Sequence, residues 1–297
     1  MIEIKNLVKN FDEIKACNNL SLNLKNGIYG LVGENGAGKS TLFRLISNVI
    51  TQDNGEILID GIPNTKKEAK EKIFFLPDDP YVKPNQTIPN IFDFYKTFYD
   101  IDKEKFDSII ASCNLSTTRK VSTFSKGMKR QLFIAVALSI KCKYLLLDEA
   151  FDGLDPLIMS NIKEQILKLK DEENKCTIIA SHNINTLNQI VDKVLLLYKG
   201  SLQKNEEIED MACELSKYQI VTKTPILKSQ LEQLGFEVVS LKKIGSIYHL
   251  VIKSKEGFKE AFTKKYQPIL FEEIPLDPEE IVMLNMMMAK KEHDNHE

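Results

Sequence analysis

The first twenty-five residues alternate between apolar and polar positions: Ile2 and Ile4, then Leu20, Leu22 and Leu24, fall on every second residue. A period of two predicts half-buried strands, with turns at Asn18-Asn19 and Asn26-Gly27. Ile28, Leu31 and Val32 then form a short apolar run. Beyond a glycine-rich stretch, Leu42, Leu45, Ile46 and Val49 recur at the i, i+3, i+4, i+7 spacing of one helix face. Strands follow at Gly55–Asp60 and Ile73–Pro77, and the two prolines of Leu76-Pro77-Asp78-Asp79-Pro80 force a loop after the second. A helix beginning near Thr87 carries Ile91, Phe94, Tyr95 and Phe98 on one face, with Phe92 and Tyr99 adding to its aromatic character, which suits either core packing or a surface that receives a partner. Another at Lys103–Cys113 presents Phe106, Ile109, Ile110 and Cys113. A third turns Leu132, Ala135 and Val136 to a core. Tyr144–Asp148 and Thr177–Ala180 read as buried strands of the parallel type, separated by a helix at Ile158–Lys170. Strands alternating with helices predict an α/β fold.

The pattern changes after about Glu214. Strand Tyr218–Lys223, helix Pro225–Leu234, strands Phe236–Lys242 and Ile247–Lys253, helix Glu256–Lys265 and strand Ile269–Ile274 follow one another. This β-α-β-β-α-β order predicts a small α+β domain of ferredoxin-like pattern over residues 215–297. Asp277-Pro278-Glu279-Glu280 supplies an N-cap, a first-turn proline and a capping-box glutamate for a last helix, 278–290. Met286, Met287 and Met288 are consecutive and cannot all face one ion on a helix, so they read as packing. His293 and His296 lie in a polar tail and are not expected to be ligands.

Composition narrows the class. The 297 residues are 43% hydrophobic and 28% charged, as in a soluble globular protein. A net charge of −2 gives no electrostatic footprint for nucleic acid. Five cysteines without C-x-x-C pairing read as reduced, mostly buried thiols. The longest apolar run, near Leu132 to Ile140, is too short for a membrane span, and Met1-Ile-Glu-Ile-Lys does not start a signal peptide. A cytoplasmic chain, peripheral to a membrane at most, is expected.

The chemistry is concentrated at strand ends. Gly33-Glu34-Asn35-Gly36-Ala37-Gly38-Lys39-Ser40 satisfies the G-x-x-x-x-G-K-[ST] pattern, with a strand before it and a helix after it. Glycines let backbone N–H groups crowd a phosphate, and the helix directs its positive end at the same place. Lys39 is placed to reach the β- and γ-phosphates, and the Ser40 hydroxyl to ligate Mg²⁺. Asp148 and Glu149 end a buried strand where α/β sheets bind ligands; Asp148 is expected to hold Mg²⁺ and Glu149 to polarise the attacking water. His182, just past another strand, is expected at a γ-phosphate. Ser125 and Gly127 run into a helix start, a second anion-binding geometry. Phe11, taken alone, reads as core.

Together these motifs resemble the ATP-binding cassette (ABC) ATPases. The Walker A motif matches Gly33–Thr41, the Walker B motif with its catalytic glutamate Leu145–Glu149, the signature loop Phe124-Ser125-Lys126-Gly127-Met128, the D-loop Gly153-Leu154-Asp155 and the switch histidine His182. The resemblance implies a cassette over residues 1–212, with a mixed sheet core, an N-terminal antiparallel β part and a helical signature subdomain at about 80–140. It moves Phe11 from core to adenine-stacking aromatic. It implies ATP bound by Gly33, Asn35, Gly36, Gly38, Lys39, Ser40 and Thr41, with Asp78, Ser125, Lys126, Gly127 and Asp155 contributing, and Mg²⁺ held by Ser40, Asp78 and Asp148. In that family two cassettes sandwich two ATPs, so a second cassette is an implied partner. Residues 78–100 lie where the family receives the coupling helix of a membrane permease, which would hold the chain on the inner face of the cell membrane; no nucleic-acid partner is implied. Asp78 replaces the Q-loop glutamine, Lys126 a signature glycine, Met128 the terminal signature glutamine and Ala150 a common proline. The Ser-Lys-Gly-Met and Leu-Pro-Asp-Asp forms resemble cassettes of ABC-2-type exporters of drugs and peptide antibiotics. A soluble ABC ATPase acting on ribosome or DNA is the alternative; a P-loop kinase does not account for the signature loop or the D-loop.

Overall fold

The computed structural model describes residues 1–182 and 184–294 and divides into two compact units, Met1–Asn205 and Glu206–Glu297. His296 lies outside the described residues, and so does the side chain of His293.

The first unit begins with the predicted alternation. Strands β1 (Ile2–Phe11) and β2 (Ile14–Leu24) pair antiparallel, with Ile2 opposite Leu24 and Phe11 opposite Ile14. Strand β3 (Gly27–Val32) is buried at every position and feeds, through the glycine-rich turn, helix α1 (Lys39–Ile46). Strands β4 (Asn54–Ile59) and β5 (Ile62–Pro63), the short helix α2 (Lys67–Lys70) and strand β6 (Ile73–Leu76) follow. Three helices come next: α3 (Ile88–Lys96), α4 (Lys103–Ser112) and α5 (Lys126–Ser139). Strand β7 (Tyr144–Asp148), helix α6 (Pro156–Glu173) and strands β8 (Cys176–Ser181), β9 (Lys193–Tyr198) and β10 (Ser201–Glu206) close the unit. The antiparallel sheet runs β2-β1-β4-β5, and the larger sheet β10-β9-β3-β8-β7-β6. In the larger sheet β9, β3, β8, β7 and β6 pair parallel, so the C-terminal ends of β3, β7 and β8 meet at one edge. Leu42, Phe43, Leu45 and Ile46 of α1 share one core with Ile2, Ile4 and Ile57 of the first sheet and Leu31, Leu146 and Ile178 of the second. Burying a side chain of this size contributes about 1.5–3 kcal/mol, which is how α1 is fixed against both sheets.

Two features go beyond what the sequence decided. The buried face of α3 is Ile88, Ile91 and Phe92, while Phe94 and Phe98 stand about half or more exposed and meet edge to face at 5.4 Å. The i, i+3, i+4 stripe through position 88 wins because Phe92 packs on Phe106 of α4 at 4.9 Å. In addition, Val194-Leu-Leu-Leu-Tyr198, passed over in the sequence, is a buried strand beside β3.

A polar hub ties the ends of these elements together. Asp60, just after β4, accepts from Lys143 Nζ at 2.8 Å, Lys72 Nζ at 3.0 Å, the Tyr144 hydroxyl at 2.6 Å and the Met1 ammonium at 2.5 Å. Burial acts to raise its carboxyl pKa, and these donors outweigh it and hold the group well below its ordinary 3.8. A carboxylate of depressed pKa stabilises the fold fully above its unfolded value and less as pH falls below it. Asp60→Asn is therefore expected to cost about 2 kcal/mol at neutral pH. The deficit in denaturant midpoint should narrow progressively below about pH 4, where the Asp60 carboxyl of the unfolded chain takes up a proton while that of the fold stays ionised.

The second unit contains helix α7 (Ile208–Cys213), strand β11 (Leu215–Val221), helix α8 (Lys228–Glu232), strands β12 (Val238–Ile244) and β13 (Ile247–Lys253), helix α9 (Phe258–Tyr266), strand β14 (Leu270–Ile274) and helix α10 (Pro278–Asp294). Its antiparallel sheet runs β12-β13-β11-β14. Alternate residues serve opposite faces: Tyr248, Leu250 and Ile252 join Phe258 and Phe262 of α9, while Val251 joins Leu284 and Met288 of α10. The division falls between Asn205 and Glu206, earlier than 212, because α7 packs on α10 and β11 of this unit and buries Met211 completely. The capping box at Asp277 forms, with Glu280 N–H on Asp277 Oδ1 at 2.8 Å and Asp277 N–H on Glu280 Oε2 at 3.3 Å. Of the three methionines, Met288 is buried and Met287 exposed, as packing rather than ligation requires. Cys17, Cys113, Cys142 and Cys176 are buried free thiols, and Cys213 is exposed.

Candidate functional site

The turn between β3 and α1 lines a cleft of about 380 Å³ with Phe11, Ile14 and Ala16 on one side and Asp78 and Glu149 on the other. Its floor is Asn35 to Thr41. Gly38 has φ +106, and a Cβ there would lie 2.2 Å from the Ala16 carbonyl oxygen. The chain can make this turn under β2 only with glycine. At the mouth, Phe11 and Ile14 face each other across the β1–β2 turn, 45% and 67% exposed. Two exposed apolar side chains beside a phosphate-type loop offer a flat surface on which a planar base can stack.

Lys39 is 7% exposed, and its ammonium donates to Gly33 O at 2.6 Å and to Glu34 O at 3.3 Å. Burial lowers its pKa, and the negative charges of Glu149 and Asp148 act against that shift. An ammonium held on loop carbonyls inside a turn of N–H groups is placed to exchange those bonds for phosphate oxygens.

Asp148, the last residue of β7, is 3% exposed, and its Oδ1 has no hydrogen-bond partner. Burial pushes its carboxyl pKa up, the neighbouring Ser40 hydroxyl pulls the other way, and Glu149 and Asp78 push it further up. An orphaned carboxylate oxygen beside a hydroxyl, in a site dense with acids, fits a hard divalent cation. Ser40 and Asp148 are the residues that would hold it. Asp78 reaches the same cleft wall, but its Oδ1 accepts from Arg130 Nη2 at 2.6 Å, with only Oδ2 outside that bond.

Glu149 turns the chain. Its φ is +47, a left-handed conformation that costs a non-glycine residue roughly 1–2 kcal/mol. The turn brings its carboxylate back over the loop: Oε1 lies 4.0 Å from Lys39 Nζ, and Oε2 accepts from His182 Nδ1 at 3.0 Å. His182 Nε2 also lies 4.0 Å from Asp152. Glu149 and His182 are thus together, on the neighbouring strand ends of β7 and β8, with the imidazole fixing one oxygen of the carboxylate.

The remaining residues singled out in the sequence do not line this cleft. Ser125 caps α5, its Oγ accepting from Met128 N–H at 3.2 Å. A Cβ on Gly127 would stand 2.9 Å from Gly153 O, so the loop before α6 closes directly against the start of α5. Asp155 caps α6 through Leu157 N–H at 2.9 Å. Lys126 borders a shallow recess with Asp78, Asp79 and Arg130. Sequence reasoning missed Arg130 and Asp152. Arg130 carries no motif signal beyond an arginine on the buried face of α5; Asp152 sits between two motifs.

Comparison with known proteins agrees with this geometry. A family model described as "ABC transporter" matches residues 17–152. The chain is 26% identical to the ABC transporter ATP-binding protein YtrB of Bacillus subtilis over 95% of its own length and 96% of the relative's. It is 31% identical to the uncharacterized ABC transporter ATP-binding protein YhcH of the same organism, covering 71% of each chain. It is 28% identical to the lantibiotic transport ATP-binding protein SrtF of Streptococcus pyogenes, over 70% of this chain and 92% of that one. Among solved structures, the dimeric bacterial ABC transporter cassette MJ0796 superposes with a TM-score of 0.61 at 23% identity, covering 70% of this chain and 98% of that one, which shows the fold.

Proposed function

From the premise that the chain belongs to the ABC transporter ATP-binding proteins, we propose that it hydrolyses ATP as one half of a cassette pair that drives a separate membrane permease. The observation that carries this reading is that Phe11, Lys39 and Glu149 line one cleft, with His182 bonded to Glu149 and Asp148 next to Ser40 of its floor, while Ser125 and Gly127 stand outside it. The base stacks at Phe11, the loop N–H groups and Lys39 hold the phosphates, and Glu149, oriented by His182, takes a proton from the attacking water. Bound Mg²⁺, held by Ser40 and Asp148, supplies charge neutralisation on the transferring phosphoryl group. The signature loop Ser125–Gly127 completes the site of a second cassette, and closure on ATP followed by opening after hydrolysis is the two-state element that moves the partner.

No described helix is long and apolar enough to cross a membrane, so the pathway belongs to the partner. Phe94 and Phe98, in edge contact with each other, and Tyr81 at 81% exposure are exposed aromatic side chains after Asp78 for the permease to dock on. The similarity to SrtF supports export of a drug, peptide or other small molecule, with the chain held at the inner membrane face. A ribosome- or DNA-directed role is disfavoured by the net charge of −2. Affinity purification from detergent-solubilised native membranes is expected to recover a multi-span permease. Recovery of ribosomes or chromatin alone would overturn the assignment.

A further inference from the structure

Arg130 lies on the buried side of α5, with its side chain 3% exposed. Its Nη2 donates to Asp78 Oδ1 at 2.6 Å, and its Nη1 stands 3.5 Å from the main-chain oxygen of Asp148. A guanidinium does not give up its proton inside a protein, so the interior here holds a permanent positive charge. Asp78 is the carboxylate paired with it among the described residues, and is itself half exposed on the wall of the nucleotide cleft. The two elements so joined are the loop after β6 and the helix that begins at the signature residues.

The charge arithmetic of the cleft gives the pair a purpose. Asp78, Asp148 and Glu149 bring three carboxylates to the place where a triphosphate would sit, and Lys39 is the cation placed among them on the loop. Left uncompensated, Asp78 would repel the phosphates across a low-dielectric cleft. Hydrogen-bonded to Arg130, it presents a neutralised pair with Oδ2 as an acceptor. We infer that Arg130 is a positioning residue that cancels and fixes the charge of Asp78, so that the ion pair, rather than a free carboxylate, faces the nucleotide at this wall. This inference rests on the ATPase reading above. It also revises the role of Asp78: a carboxylate bound at 2.6 Å to a buried guanidinium is an acceptor held in place, not an independent metal ligand.

The test is a double-variant cycle read as ATP affinity by calorimetry and as KM and kcat by phosphate release. Arg130→Gln leaves the Asp78 charge facing the phosphates and is expected to raise both Kd and KM for ATP about tenfold, with kcat changed less than threefold. Adding Asp78→Asn in the Arg130→Gln background removes the orphaned charge and is expected to return KM to within about threefold of wild type. Arg130→Lys, which keeps the charge, should stay near wild type. A packing role for Arg130 would lower the melting temperature in the single and double variants alike without restoring KM, and that result overturns the inference. Should Arg130→Gln alone fail to fold, folding of the double variant supports the charge pair, and failure of both overturns it. If wild type binds ATP and Arg130→Gln binds it equally well, only this inference falls. If wild type binds no ATP, the ATPase assignment falls and takes this one with it.

Discussion

Glu149→Gln is expected to slow ATP turnover by about 10³-fold, within the range for loss of a positioned general base, and to leave the chain as a stable ATP-bound dimer. The amide keeps the size of the side chain and, with Oε1 toward the imidazole, can still accept the His182 hydrogen bond at Oε2's place. What it loses is the ability to take a proton. Lys39 loses a carboxylate 4.0 Å away, and the fold loses little, because the left-handed turn at position 149 is unchanged. Nucleotide affinity should therefore persist while hydrolysis stops. Phosphate release and size-exclusion chromatography with ATP and Mg²⁺ separate the two. Hydrolysis at the wild-type rate would remove Glu149 from its catalytic role.

The second large effect is expected at Gly38. A methyl group there would sit 2.2 Å from the Ala16 carbonyl oxygen, on a backbone whose φ of +106 already disfavours any L side chain. The obstacle is main chain of β2, so no rotamer change relieves it. Gly38→Ala must shift the loop that carries Lys39 and Ser40, and is expected to abolish measurable ATP binding. It should also lower stability by about 2–3 kcal/mol through strain and lost packing. Gly36, where a Cβ meets nothing within 4 Å, is the matched control: its alanine variant carries the strain of φ +85 without the collision. Equal ATP affinity in wild type and Gly38→Ala would show that the loop is not the phosphate cradle.

The phosphate loop, the paired acids of β7 and the histidine after β8 were legible from residue types because their chemistry is local. A strand end, a glycine turn and a helix start can be read within fourteen residues. The strand β9 was not read, since an apolar run of five residues between polar stretches does not declare its partner. Whether Phe94 and Phe98 belong to core or to a surface could not be decided from residues alone: two overlapping stripes of α3 are apolar, and only the contact of Phe92 with α4 decides which is buried. Arg130 is the clearest case. Its partner Asp78 is fifty-two residues away in the chain, and nothing in local spacing joins a loop aspartate to an arginine on a later helix.

The positive φ of Glu149 has a consequence for anyone wishing to harden this chain against heat. Glycine at that position would release the left-handed turn from its steric penalty, so a screen scored on melting temperature alone has a reason to select it. The selected molecule would be more robust and inert. On the catalytic role proposed for Glu149, thermostability and turnover compete at this one residue, and a selection for durability has to count released phosphate as well as surviving fold.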